Sequence, residues 1–211
     1  MAAALQAEKY GAEVLLVERG FELGGILNQC IHNGFGIQIY EEELTGPEYA
    51  HRFCEKINSS SIEVFLNTYV LSLNKEKELL LLTPSGMVEI DAGAVILATG
   101  ARERTRGEVR IPGTRPAGVM TAGTAQEFIN KKGYMPGEKF IILGSGDIGL
   151  IIARRLTWEG AEVVGVAEIM PYPTGLNRNV VQCLHDYDIP LHLRHTVTDI
   201  FGEERLNGVE V

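Results

Sequence analysis

Lys139-Phe140-Ile141-Ile142-Leu143 runs without a break into Gly144-Ser145-Gly146-Asp147-Ile148-Gly149, and Leu150-Ile151-Ile152-Ala153 follows at once. An apolar strand that ends in G-x-G-x-x-G and opens a helix starts a βαβ unit. The first glycine allows the tight turn, and the second lets the backbone approach a pyrophosphate. The third lets helix and strand pack with no side chain between them. The anion then sits on the helix N-terminus, where unsatisfied N–H groups and the macrodipole favour negative charge. A second apolar strand, Val163 to Ala167, closes on Glu168, 24 residues past Gly144. An acid at a spacing of about 20 meets the ribose hydroxyls of a dinucleotide. A carboxylate there repels a 2′-phosphate, and Ile169-Met170-Pro171 supply no base, which favours NAD over NADP. A tight βα turn that holds no ligand is the bland alternative.

The same half-unit recurs nearer the N-terminus. Ala2 to Tyr10 is expected as a helix stopped by Gly11, and Val14 to Val17 as a doubly buried strand ending in Glu18. Gly11-Ala12-Glu13-Val14 parallels Gly160-Ala161-Glu162-Val163, so Glu18 and Glu168 are expected as ribose ligands of two separate dinucleotide sites. The first unit shows no glycine loop and no strand before its helix. Gly24-Gly25 follows, then a polar, glycine-rich loop from Asn28 to Tyr40. Thr45 as N-cap, Pro47 in the first turn and Glu48 at the capping-box position predict a helix to about Ile57. A strand at Ile62 to Leu66 and a meander at Val70–Leu73, Leu79–Thr83 and Met87–Ile90 come next.

Ala94 to Ala98 is expected as a buried strand, ending in Thr99-Gly100. The charged, Pro- and Gly-rich stretch from Arg102 to Gly118 is expected as a linker. That places a partial first domain at 1–104 and a partial second at 105–211, joined across about 102–120. A helix from Thr124 to Lys132 precedes the glycine turn. A helix from Asn177 to Tyr187 and strands at Ile189–Leu193, Val197–Phe201 and from Leu206 follow Glu168. The expected class is α/β: two Rossmann-like dinucleotide-binding units with a small β-meander, the first unit incomplete.

Composition bounds the function. With 45% hydrophobic and 22% charged residues, the 211-residue chain can build a core. A net charge of −9 argues against nucleic acid or an anionic membrane as partner. No apolar run approaches the ~20 residues of a membrane span, and the N-terminus lacks the basic start and long apolar core of a signal peptide. Three cysteines with no C-x-x-C pair point to reduced thiols in the cytoplasm and to no zinc site. Cys54 and Cys183 have helical spacing with apolar neighbours and are expected in the core; Trp158, at the end of the dinucleotide helix, is expected to serve packing. His185, His192 and His195 are too scattered for a metal site.

Taken together, these motifs resemble the two-dinucleotide-domain flavoproteins of the pyridine nucleotide-disulfide oxidoreductase superfamily. The likeness is strongest to the non-disulfide branch of FAD- and NAD-linked dehydrogenases, akin to the alpha subunits of sarcosine oxidase. It rests on Glu18 with Gly24-Gly25, on Ala98-Thr99-Gly100, on Arg115-Pro116-Ala117-Gly118-Val119-Met120-Thr121-Ala122-Gly123, and on Gly144 to Gly149 with Glu168. The resemblance implies that Glu18, with Arg19 beside it, serves the FAD ribose and that Gly24-Gly25 lie near the FAD pyrophosphate. It implies main-chain contact of Val70 with the adenine, and passage of Ala98, Thr99 and Gly100 close to FAD. It further implies that Gly144, Gly146, Asp147, Ile148 and Gly149 take the NAD pyrophosphate. The implied chemistry is hydride transfer between nicotinamide and flavin.

Three departures qualify the likeness. Disulfide members carry C-x4-C after the glycine pair, whereas here Cys30 stands without a second cysteine, position 35 being Phe35. That removes a disulfide-reductase mechanism. The FAD half lacks its first strand and glycine motif, a loss expected to leave two unpaired strand edges. The sequence also stops inside the NAD half, so it is expected to be a fragment of a longer flavoprotein or a mis-started reading frame, with the NAD motif intact.

Cys30 and His32 follow Gly24-Gly25 and are candidates to act on substrate beside the flavin, against the alternative that they pack a loop. Arg102, Arg104, Arg106, Arg110 and Arg115 either meet cofactor phosphates or a partner protein, or form a solvated linker. The leading expectation is an FAD-dependent, NAD-linked oxidoreductase working on a small-molecule substrate, with a partner oxidoreductase subunit. Its rival is a binding module that holds NAD, or nothing, without flavin catalysis. A third possibility is a homo-oligomer or domain swap through the exposed strand edges.

Overall fold

An eight-residue helix, α1 (Ala2–Lys9), opens the chain, and Gly11 ends it at φ +84°. In the computed structural model, which describes residues 1–211, the chain divides into the units Met1–Gly100 and Ala101–Val211. In the first unit β1 (Leu15–Val17) leads to a 3-10 turn at Gly25–Gln29. The polar stretch after it contains β2 (Asn33–Phe35), a one-turn helix α2 (Ile37–Tyr40) and β3 (Leu44–Thr45), where only a loop was expected. Aromatic packing gives that stretch its order: Tyr40 and Phe35 lie 5.9 and 6.3 Å, centroid to centroid, from Tyr49.

Helix α3 (Gly46–Asn58) starts as its sequence predicts. Thr45 accepts the Glu48 N–H, and the Glu48 carboxylate accepts the Thr45 N–H at 2.8 Å. Its Ile57 packs with Ala4 and Ile62 in a small core that Leu5, Leu16 and Val64 border. Strand β4 (Glu63–Phe65) pairs in parallel with β1, Leu16 opposite Val64. Strands β5 (Tyr69–Leu73), β6 (Glu78–Thr83) and β7 (Gly86–Asp91) form the antiparallel meander.

Two expectations for the first unit fail together. Residues 94–98 form no strand, and Ile96 and Leu97 are 66% and 73% exposed. Strand β1 is half-buried, not doubly buried, and its only ladder partner is β4. A strand needs a neighbour to satisfy its N–H and C=O groups, and an apolar sequence alone does not supply one.

The second unit begins with α4 (Arg106–Val109) inside the basic stretch, which is folded within this unit. The helix α5 (Ala122–Asn130) starts two residues before the expected Thr124, because Thr121 supplies the N-cap. Then come β8 (Lys139–Leu143), α6 (Asp147–Trp158), β9 (Glu162–Glu168), α7 (Asn177–Cys183) and β10 (Leu191–Leu193). The three strands make one parallel sheet in the order β10-β9-β8. Strands β11 (Asp199–Gly202) and β12 (Leu206–Glu210) close a hairpin.

The sheet needs cover on its faces, and α6 provides it with Leu150, Ile152, Ala153 and Leu156, all essentially buried. Each large side chain among them contributes about 1.5–3 kcal/mol on burial. Val163, Val166, Val180, Cys183, Leu184 and Ile189 complete this core. Cys183 is fully buried as expected, whereas Cys54 is half-buried with its thiol 3.7 Å from the Met1 sulfur. Trp158 packs as expected, but at the surface, half-exposed. Its ring lies edge-on to Tyr187, its indole N–H donates to the Tyr187 hydroxyl at 2.6 Å, and the Arg154 guanidinium covers its face.

Candidate functional site

The turn between β8 and α6 gives each glycine a distinct geometry. Gly144 has φ +100°, a conformation that a side chain would strain. A Cβ on Gly149 would lie 2.6 Å from the Gly144 carbonyl oxygen and 3.4 Å from Ile142, so the helix can approach the strand only without one. A Cβ on Gly146 would meet nothing within 4 Å. It would point into the open space at the start of α6, where Gly146, Asp147, Ile148 and Gly149 have no intrahelical acceptor for their N–H groups. These donors and the dipole of a twelve-residue helix suit an anion approaching the backbone closely.

An acid in the first turn of such a helix would repel a phosphate, yet Asp147 is turned aside. Its Oδ1 accepts the Leu176 N–H at 2.8 Å and the Asn179 amide at 2.7 Å, tying the start of α7 to the start of α6. The loop after β9 passes over the glycine turn. Thr174 N–H donates to Ser145 Oγ at 2.9 Å and Gly175 N–H to the Ser145 carbonyl at 2.8 Å. A Cβ on Gly175 would come within 2.9 Å of Leu150, Ser145 and Asp147, so glycine is required at this crossing.

Glu168 lies at the end of β9 and is only 4% exposed. Its Oε2 accepts the Ser145 N–H at 2.9 Å, the Ser145 hydroxyl at 2.6 Å and the Thr174 hydroxyl at 3.2 Å, and its Oε1 accepts the Met170 N–H at 2.9 Å. Burial alone pushes the carboxyl up. The hydrogen bonds from the Ser145 hydroxyl, the Met170 and Ser145 N–H groups and Thr174 outweigh it and hold the group below its ordinary value. Glu168 is therefore ionised at neutral pH. Its oxygens are largely committed to the chain, and Oε1, with one donor, retains one free lone pair. Sequence patterning does not single out Ser145, Thr174 or Gly175. The signal available is the small pair Thr174-Gly175 soon after the strand-end acid.

The first unit assembles its expected residues less completely. Glu18 follows β1 and accepts the Gly20 N–H at 2.7 Å, with Arg19 exposed beside it. Gly24 and Gly25 both have positive φ; Gly25 faces open space, while the Asn28 side chain closes over Gly24 and donates to the Leu23 carbonyl at 2.9 Å. Val70 lies exposed on β5, and Ala98, Thr99 and Gly100 are exposed and outside any strand. These residues fit a flavin dinucleotide in part: an acid and an open glycine are present, without a strand-anchored helix N-terminus facing them.

Cys30 and His32 lie on either side of Ile31, between the 3-10 turn at Gly25–Gln29 and β2. The Cys30 thiol is half-buried, and burial pushes its pKa up, away from the thiolate a nucleophile needs. His32 stacks on Phe35 at 5.2 Å, with Nδ1 3.0 Å from the Asn33 carbonyl oxygen. No helix of the chain is long and apolar enough to cross a membrane.

The chain is 30% identical over 178 residues to an opine oxidase subunit of Rhizobium meliloti, covering 80% of this chain and 33% of that protein. It is 26% identical over 186 residues to the alpha subunit of sarcosine oxidase from the same species, covering 81% of this chain and 18% of that protein. The chain thus spans about a third or less of these relatives. Its fold matches the bacillithiol disulfide reductase of Bacillus cereus with a TM-score of 0.71 over 95% of this chain and 66% of that one, at 17% identity. Two thioredoxin reductases share the same α/β fold, at 18% identity and TM-scores of 0.64 and 0.69. A model of the pyridine nucleotide-disulphide oxidoreductase family matches residues 1–211, and the chain belongs to that family.

Proposed function

We propose that this chain is the dinucleotide-binding portion of an FAD-dependent, NAD-linked oxidoreductase that works with a partner subunit on a small-molecule substrate. The observation that carries the reading is the open cradle at Gly146, with four backbone N–H groups free at the start of α6. Those groups would hold the pyrophosphate of NAD, and Gly149 keeps the helix close enough for them to do so. Glu168 acts first by fixing Ser145 and so the turn. Its retained charge disfavours a 2′-phosphate, and the free lone pair on Oε1 is the acceptor for a ribose hydroxyl. Asp147 leaves the cradle uncharged by facing α7. When bound, nicotinamide and flavin supply the hydride chemistry themselves. In the first unit Glu18, Arg19, Gly24, Gly25, Val70, Ala98, Thr99 and Gly100 are the residues assigned to the flavin. A partner protein is supported by the relatives, which are named as subunits. The three unpaired cysteines fit a reducing compartment such as the cytoplasm.

A second reading, an NAD-binding module without flavin catalysis, is favoured by one observation. Residues 94–98 lack a ladder in the half that would hold the flavin. An absorption spectrum of the chain, taken before and after FAD and then NADH, separates the two. A bound flavin that bleaches with NADH supports the oxidoreductase. NADH binding with no flavin uptake supports the module.

A further inference from the structure

Three arginines of the second unit line one open surface cavity. Arg106, Arg110 and Arg115, with Ile111, Pro116 and Val119, line a volume of about 580 Å³, within the range of small-molecule sites. In a chain of net charge −9 this is a local reversal of sign, and no carboxylate is among the lining residues. None of these residues belongs to the glycine turn.

The wall of the cavity is built, not loose. The Arg106 guanidinium donates through Nε to the Ile111 carbonyl at 3.1 Å and through Nη2 to those of Pro112 and Gly113 at 2.9 and 3.0 Å. Its Nη1 donates to the Thr114 carbonyl. Its charge is therefore fixed by neutral acceptors and left uncompensated. The loop is docked on the β11–β12 hairpin: Thr114 N–H and hydroxyl both donate to the Ile200 carbonyl, at 2.9 and 3.1 Å. Ala117 N–H donates to the Glu204 carbonyl at 2.9 Å. Gly113 sits at φ +103° against the Asp199 carboxylate and the Ile200 backbone.

Two acids close to the loop are hydrogen-bonded within the chain. The Glu108 carboxylate accepts the Thr105 N–H and hydroxyl at 2.6 and 2.8 Å, and Asp199 Oδ1 accepts the Ile200 N–H at 2.8 Å. Arg110 and Arg115 are exposed and enter no ion pair. Arg110 is also held at φ +59°, where a non-glycine residue is strained, so its position is imposed by the surrounding fold.

We propose that this cavity binds a small organic anion. Its carboxylate or phosphate group lies on the Arg110 and Arg115 guanidinium groups, which match an oxyanion with paired donors. Its apolar body lies against Ile111, Pro116 and Val119. The site is independent of the nucleotide reading, since it shares no residue with the α6 cradle.

The test is calorimetric titration of the 211-residue chain with benzoate and with phenyl phosphate. The structure predicts saturable binding of at least one, the tighter probe naming the oxyanion. Arg110→Gly relieves the backbone strain while removing the guanidinium, so it keeps the fold. It should weaken binding at least tenfold, as should Arg115→Ala. Gly146→Val, which fills the α6 cradle, should leave both probes bound as in the parent chain. No saturable binding of either probe, parent-like affinity in both arginine variants, or loss of binding in Gly146→Val alone would overturn the proposal.

Discussion

Ser145 gives both its backbone N–H and its hydroxyl to one oxygen of Glu168, at 2.9 and 2.6 Å. The middle of the glycine turn and the end of the neighbouring strand are thereby one unit, with Thr174 closing over them. Glu168→Gln keeps the shape but turns an amide donor towards some of these donors and removes the charge. It should cost about 2 kcal/mol, the scale of hydrogen bonds to a charged group, read as a lower urea midpoint at unchanged slope.

The same contacts set a pH dependence. The folded state holds the Glu168 carboxyl below its ordinary value, so the stabilisation is fully present above the ordinary range of about 4.3. It is lost as pH falls through the lower folded-state value. The parent chain should therefore lose more stability than Glu168→Gln on acidification below ~5, and parallel acid curves would contradict this.

Gly146 and Gly149 make opposite predictions. Gly149→Ala places a methyl 2.6 Å from the Gly144 carbonyl oxygen and should cost about 1–3 kcal/mol by overpacking. A Cβ on Gly146 meets open space, so Gly146→Val should cost no more than the poorer N-cap, about 0.5–1 kcal/mol, while weakening nucleotide binding. Thermal melts with NADH titrations separate the two; equal effects on stability would mean the cradle is not open.

At the start of α3, Thr45→Ala removes the hydroxyl that caps Glu48 N–H. It should cost about 1 kcal/mol, seen in chemical denaturation. A neutral result would show that the Thr45 hydroxyl adds nothing to the stability of the helix.

Ile96→Lys and Leu97→Lys test the least expected feature of the first unit. Both side chains are exposed, so each change should leave stability within about 0.5 kcal/mol. A loss of several kcal/mol would show them buried in solution, as a ladder partner for the segment would require.

These residues also mark how far the sequence can be read. Periodicity, caps and the glycine motif foretell α3, the meander, β8, α6 and β9, because each is decided by neighbours within a few residues. The 94–98 segment departs from its expected strand because an apolar run becomes a strand only beside a partner, and pairing is not local. Within the site, the Gly144, Gly146 and Gly149 geometry is legible in the sequence. Ser145 and Thr174 as partners of Glu168, the turning aside of Asp147, and the folding of the Arg106 loop are not. Each depends on segments 20 or more residues apart, or on where one guanidinium finds its acceptors.

The most direct test of the nucleotide site is a fluorescence titration of the 211-residue chain with NADH, alongside NADPH and the Gly146→Val variant. The cradle predicts saturable binding at one site per chain, at least tenfold weaker for NADPH because of the Glu168 charge, and at least tenfold weaker for NADH in the variant. No saturation with NADH, or affinity unchanged in Gly146→Val, would contradict it.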